Sequence, residues 1–235
     1  MNTHVFLITA KTNLHVGNEG GDEFTIIDKT IQRDPLTGLP CINSSSLKGA
    51  INEFCVNKAK LKAEIIHNLF GADKMKRVTE KDEKGNEKVK DAKKGEAIFF
   101  DAKLLYLPVQ DHETLYKLAY NKNVIEMMNQ RINLFDKNFV FPQPTPKEKF
   151  KNLSNEDFAD CCSDYNLPII ARNKLENGES ANLWYEQVLP PETMFYTIIQ
   201  EEGDDLKEAL NGQIVQIGAN ATIGYGYCKF ELLNK

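Results

Sequence analysis

The order in which hydrophobic periodicity changes along this chain restricts its fold more than any single motif. His4 to Ala10 (HVFLITA) has the apolar, β-branched content of a strand. From about Ser46, the residues Leu47, Ile51, Phe54 and Cys55 recur on one helical face. A second helical piece, Leu61 to Phe70, stops at Gly71, a usual C-terminal signal. Ala97 to Val109 (AIFFDAKLLYLPV) then returns to strand, as one long element or a bent pair. A less regular region follows. Glu113 to Asn129 reads as helix, and Pro142, Pro144 and Pro146 mark an extended arm. Ser154-x-x-Asp157 reads as a capping box opening a short helix. Glu176-Asn177-Gly178-Glu179 reads as a hairpin turn between two β-capable arms. Strand character resumes at Thr193 to Ile199, a short helix runs from Asp204 to near Gly212, and the last strands flank Gly218 to Gly226. The skeleton is β-α-β, a long insertion, then β-α-β, the split order of α+β, ferredoxin-like (RRM-like) folds. In such a fold the sheet face is expected to serve as a platform.

Two loops carry chemistry. Asp28 to Ile51 (DKTIQRDPLTGLPCINSSSLKGAI) joins a turn at Asp34–Gly38 to a run of hydroxyls and a helix start. Ser44, Ser45 or Ser46 is expected to cap that helix, which places Lys48 in its first turn. A cation there opposes the helix dipole, and a bound phosphate would remove the conflict by meeting free N–H groups, hydroxyls and an ammonium together. The plainer alternative is that Lys48 points into water. The second loop, Ile217 to Tyr227 (IGANATIGYGY), is glycine-rich, and Gly218, Asn220, Thr222 and Gly224 suit a concave nest of amides facing phosphate. It has neither the lysine of a GxxxxGK[ST] loop nor the strand-GxGxxG-helix order, so nucleotide sites of those kinds are disfavoured.

Composition narrows the function classes. A net charge of −5 argues against nucleic-acid binding by bulk electrostatics. Lys74 to Lys94 is nonetheless locally basic and almost without apolar residues, and is expected to be a mobile loop, a solvated excursion in preference to the alternative of a dedicated phosphate-binding arm. Five cysteines without CxxC spacing indicate neither a disulfide framework nor a structural zinc site. With no signal-peptide pattern and no membrane-length apolar run, the expected location is a reducing cytoplasm.

IIDKTIQR at Ile26–Arg33, SSSLKGAI at Ser44–Ile51, FG at Phe70-Gly71, FDAKLLYLPV at Phe100–Val109, LWYEQVLPPETMFY at Leu183–Tyr196 and the closing IGANATIGYGYCKF together resemble the RAMP superfamily of CRISPR-associated RNA-binding proteins. The similarity is strongest to the repeated backbone subunit of type III-B effector complexes. The resemblance implies one domain over residues 1–235, with a ferredoxin-like palm at about 1–109 and 193–235 and an inserted thumb at about 110–192. It implies a guide RNA, a complementary single-stranded target RNA, further copies of the chain along the guide, and other effector subunits as partners. Arg33, Ser44, Ser45, Ser46, Lys48, Gly218, Asn220, Thr222 and Gly224 are then the guide-binding set. A family aspartate required for target cleavage matches Asp28, and His15 and Glu186 match positions proposed to assist. RNA carries its own nucleophile in the 2′-hydroxyl, so the protein need only align a nucleotide and manage charge and protons. A bare carboxylate beside phosphate would be repulsive, which favours Asp28 as a Mg²⁺ ligand. Two alternatives are a non-catalytic guide-binding scaffold and a metal-independent nuclease that matures guide RNA.

Overall fold

The computed structural model describes residues 1–17, 27–71, 79–81, 87–89, 94–141, 144 and 149–234. In chain order the strands are β1 (Asn2–Ala10), β2 (Cys41–Ile42), β3 (Thr79–Lys81), β4 (Glu87–Val89), β5 (Ile98–Phe99), β6 (Ala102–Asp111), β7 (Leu115–Tyr120), β8 (Phe150–Asn152), β9 (Ile169–Glu176), β10 (Glu179–Gln187), β11 (Met194–Glu201), β12 (Ile214–Gln216) and β13 (Tyr227–Leu232). The helices are α1 (Ser44–Asn57), α2 (Ala63–Phe70), α3 (Lys122–Ile132), α4 (Asn155–Cys161) and α5 (Asp205–Leu210).

The main sheet runs β12-β13-β1-β11-β6-β7-β8, with β2 added to β6 and β5 to β11. Its centre, β13-β1-β11-β6, interleaves the two β-α-β units around α1 and α5, which is the ferredoxin-like arrangement expected from element order. Alternation along β1 sends Phe6, Ile8 and Ala10 to a core shared with Leu47, Ile51 and Cys55 of α1 and Leu206 and Leu210 of α5.

The opposite face is not an open platform. Val5, Leu105, Tyr106, Tyr196 and Ile198 are covered by Ile125, Met128 and Ile132 of α3. Burying those three side chains is worth about 5 kcal/mol, enough to keep the face shut. RNA would therefore have to be handled at the loops and edges.

Three local expectations change. Glu113–Asn129 is not one helix: Leu115–Tyr120 forms β7, paired with β6, and the helix begins at Lys122 behind an Asn121 cap. Tertiary pairing of Leu118, Ala119 and Tyr120 into the core overrides their local helical spacing. None of the three serines caps α1, whose N-cap is Asn43 with no side-chain cap bond. Asp101 supplies the carboxylate instead, accepting the Ser44 N–H at 2.8 Å. Lys48 sits in the second turn with its ammonium 5.9 Å from the Phe99 ring centre, so the dipole conflict does not arise. Within the basic segment Lys74–Lys94, Thr79–Lys81 and Glu87–Val89 pair as an antiparallel hairpin. Of Gly17–Ile27 only Gly17 and Ile27 lie among the described residues, and Pro142 and Pro146 lie outside them.

Other expectations hold. Ser154 caps α4, accepting from the Asp157 amide at 3.1 Å while its hydroxyl donates to the Asp157 carboxylate. Asn177 and Gly178, both at positive φ, turn β9 into β10.

The cap on α1 belongs to a longer chain of charges. Lys103 donates to Asp101 at 3.0 Å and to Asp34 at 2.6 Å, and Asp34 also accepts the Leu36 and Thr37 amides of its turn. Burial pushes the Asp34 carboxyl up, but the Lys103 ammonium and the turn amides outweigh this and hold it down at about 2. A pKa below the unfolded value means that Asp34 stabilises the fold above about pH 4 and loses that contribution as pH falls towards 2. Asp34→Asn keeps the turn acceptor and removes the charge. It is expected to cost about 2 kcal/mol at neutral pH and to flatten the pH 4 to 2 limb, checked by denaturant unfolding across pH.

Candidate functional site

The loops predicted to carry chemistry meet beyond the end of β1. Residues 14–17, 28–33, 187–189 and 217–226 lock together through main-chain bonds. Leu14 and Leu189 exchange both amide bonds, Gln32 N–H donates to Val16, and Ala219 N–H donates to the His15 carbonyl. Lys29 adds to the edge of β10 as a parallel bridge opposite Glu186: its N–H donates to Tyr185 and its carbonyl accepts from Gln187.

At the centre of this junction Glu186 is buried, with its side chain 2% exposed. Its Oε1 accepts from Asn220 Nδ2 at 2.6 Å and lies 3.4 Å from His15 Nε2, and its Oε2 accepts from Arg172 Nε at 3.1 Å. His15 is itself buried and donates from Nδ1 to the Gln187 carbonyl at 2.7 Å, because a carbonyl only accepts. That leaves Nε2 facing Glu186. The Arg172 guanidinium stacks 4.7 Å from the Tyr225 ring centre. One carboxylate therefore joins a loop histidine, a hairpin arginine and the glycine-rich loop.

Asp28 lies on the exposed side of the same edge. Its Oδ2 accepts the Tyr185 N–H at 2.7 Å, which fixes the carboxylate beside β10 and leaves its second oxygen outside that bond. Lys29, the next residue, holds its ammonium 5.1 Å from the Trp184 ring centre. Among the described residues no three His, Cys, Asp or Glu side chains gather into a metal cage. Mg²⁺ commonly keeps several waters and takes one or two carboxylates beside substrate phosphates, and the single remaining oxygen of Asp28 fits that arrangement.

The other sequence-predicted residues are distributed unevenly. Arg33 is engaged by protein: it donates to Asp164 at 2.6 Å and to the Cys162 and Gly38 carbonyls. Ser44 and Ser46 are half-buried, and the Ser46 hydroxyl accepts from Gln32 at 3.0 Å, whereas Ser45 is exposed. Gly218, Thr222 and Gly224 are exposed, but the Ala219, Ile223, Gly224, Tyr225 and Gly226 amides of their loop already donate to protein carbonyls. These amides close the loop on itself and on residues 13–15. Asn220 points inward to Glu186.

Arg172, Gln187 and Asp101 were missed by sequence reasoning. The hairpin turn at Asn177-Gly178 was the available signal for Arg172. Folding about it alone would set Arg172 opposite Leu183; the one-residue register shift between Ser180 and Asn182, which the sequence does not announce, moves Arg172 opposite Trp184, one diagonal step from Glu186.

A model of the RAMP superfamily matches residues 7–229. The chain belongs to the RAMP superfamily. The RAMP chain is 26% identical, over 288 aligned residues, to the CRISPR system Cmr endoribonuclease Cmr4 of Pyrococcus furiosus, covering 94% of this chain and 92% of that one. It is 37% identical over 81 residues to the CRISPR system Cms endoribonuclease Csm3 of Streptococcus thermophilus, which covers 30% of this chain and 36% of that one. Its fold is shared with a chain of a type III-B Cmr-beta complex bound to cognate target RNA, with TM-score 0.74, 18% identity, and coverage of 99% of this chain and 97% of that one. Oligomeric Cmr4 from Pyrococcus furiosus has the same fold, with TM-score 0.70, 19% identity, and coverage of 99% and 98%. Among the described residues of this RAMP protein no helix is long and apolar enough to cross a membrane.

The glycine-rich loop tests the packing of this junction. Gly218 has φ +80°, and a Cβ there would lie 2.2 Å from the His15 carbonyl oxygen. Gly224 has φ +83° with open space around it. Gly218→Ala is expected to cost about 2 kcal/mol or more, and Gly224→Ala about 1 kcal/mol from backbone strain alone, both read by denaturant unfolding.

Proposed function

We propose that this RAMP protein is a backbone subunit of a CRISPR ribonucleoprotein that binds guide RNA and cuts complementary target RNA at regular intervals. Its partners are then guide RNA, single-stranded target RNA, further copies of itself and other effector subunits. The similarity to Cmr4 over nearly the whole chain supports this reading. The observation that carries the catalytic part is Asp28, an exposed carboxylate pinned by a backbone amide beside a buried, fully hydrogen-bonded carboxylate.

The two carboxylates divide the work by exposure. Glu186 has partners on both oxygens and is closed to solvent, so neither it nor the buried His15 reaches RNA in this arrangement. Both are positioning residues: they hold the strand edge that carries Asp28. The target supplies the nucleophile, its 2′-hydroxyl closing on the neighbouring phosphorus as the 5′-oxygen leaves. In this reading Asp28 accepts the 2′-proton or holds a cation at the phosphate, a role supported by its exposed, backbone-pinned carboxylate. Mg²⁺ held by Asp28 and RNA would supply charge neutralisation at the phosphate. Base selection falls to guide–target pairing rather than to side chains of this chain.

Asp28→Ala in the assembled, guide-loaded complex is expected to lower single-turnover cleavage about 100-fold or more while target affinity stays within about twofold of wild type. Removal of divalent ions by chelator is expected to give the same loss. Persistent regular cutting by the variant would leave this chain a guide-binding scaffold.

A further inference from the structure

The face of the β9–β10 hairpin that carries Glu186 also carries two donors with nothing to bond to. Among the described residues neither Arg172 Nη2 nor Trp184 Nε1 has a hydrogen-bond partner, although both atoms are buried. They belong to directly opposed residues of the antiparallel pair, so their side chains leave the same face. A buried N–H without a partner costs about 1–3 kcal/mol, and most such groups in folded proteins find one. Arg172 spends one donor, Nε, on Glu186, and its guanidinium carries five N–H groups in a fixed fork. Lys29, an exposed residue next to Asp28, brings its ammonium to 5.1 Å from the Trp184 ring centre.

We propose that Arg172, Lys29 and the Trp184 indole N–H form a phosphate-binding site for target RNA beside Asp28, with Arg172 as the principal contact. The charges favour it. Glu186 neutralises one unit of the arginine–lysine pair and the other unit balances the Asp28 carboxylate, so an arriving phosphate meets a neutral cluster with N–H donors turned to it instead of an uncompensated carboxylate. The fork geometry of guanidinium suits a phosphate, and a small swing of the Arg172 head off Tyr225 exposes the free edge. This inference rests on the cleavage reading above and names the groups that offset the repulsion between Asp28 and the backbone it acts on.

The test separates this role from a purely structural one. In the guide-loaded complex, target affinity is measured from low to moderate salt alongside single-turnover cleavage, for wild type, Arg172→Met, Lys29→Met and the double variant Arg172→Met/Glu186→Gln. Losing a phosphate contact is expected to flatten the dependence of log affinity on log salt by about 0.7 per contact. The double variant removes the buried charge left behind when arginine alone is lost, so its hub remains neutral. The proposal predicts that Arg172→Met and the double variant share the flattened slope and a tenfold or larger loss of cleavage rate. Lys29→Met is expected to flatten the slope with unchanged thermal stability. The proposal is overturned if the double variant recovers wild-type slope and rate, which would make Arg172 only the counter-ion of Glu186. It is equally overturned if the single variants keep the wild-type slope. Loss of cutting in Asp28→Ala alongside unaffected Arg172 and Lys29 variants would sink this site and leave the cleavage reading standing. Cutting retained in Asp28→Ala would sink the cleavage reading, while the salt slopes would still report the phosphate contacts.

Discussion

The junction that organises this molecule depends on one buried carboxylate. Isolated, the Glu186 charge would be expensive to desolvate, and the protein compensates with a guanidinium and an amide from two other segments, while the His15 ring packs 3.4 Å away. That requirement works in both directions. The Glu186–Arg172 bond ties the two arms of the hairpin together diagonally, on top of their backbone ladder. Because Glu186 needs Asn220, the glycine-rich loop must fold inward over residues 13–15. Because His15 sits between Glu186 and the Gln187 carbonyl, the loop after β1 cannot drift from β10.

Asp28 inherits its position from this arrangement. The Asp28–Lys29 segment is held by three bonds to β10, one of them through the Asp28 side chain. A carboxylate on a mobile loop would sample many positions relative to a phosphate, whereas one anchored on a strand edge is pre-organised. The same edge answers the acidic balance of the whole chain. A net charge of −5 does not prevent a local concentration of cations, and Lys29 and Arg172 supply one in the proposed site.

Much of the fold was legible because local signals and tertiary demands agreed. The β-α-β order, the Asn177-Gly178 turn and the Ser154 box all describe elements whose residues are suited to the places they occupy. The failures share a cause. Leu115–Tyr120 has helical spacing in sequence but is drawn into the sheet by pairing with β6, and α3 then covers the face that element order alone would leave open. The α1 cap comes from Asp101, far along the chain, so a run of serines at the helix start pointed to the wrong partner. In the site, Asp28, His15 and Glu186 came from resemblance. Their division into one exposed and two buried groups could not be read from sequence, because it depends on which side of a strand edge each side chain leaves.

Amide hydrogen exchange on Glu186→Ala measures the dependence of the junction on that carboxylate most directly. The account predicts that protection of the Lys29, Gln187 and Ala219 amides falls together, from three separate segments, while the β1–β11 ladder stays protected. Unchanged protection at those three amides, or loss at only one of them, would contradict the claim that a single buried charge holds the site in place.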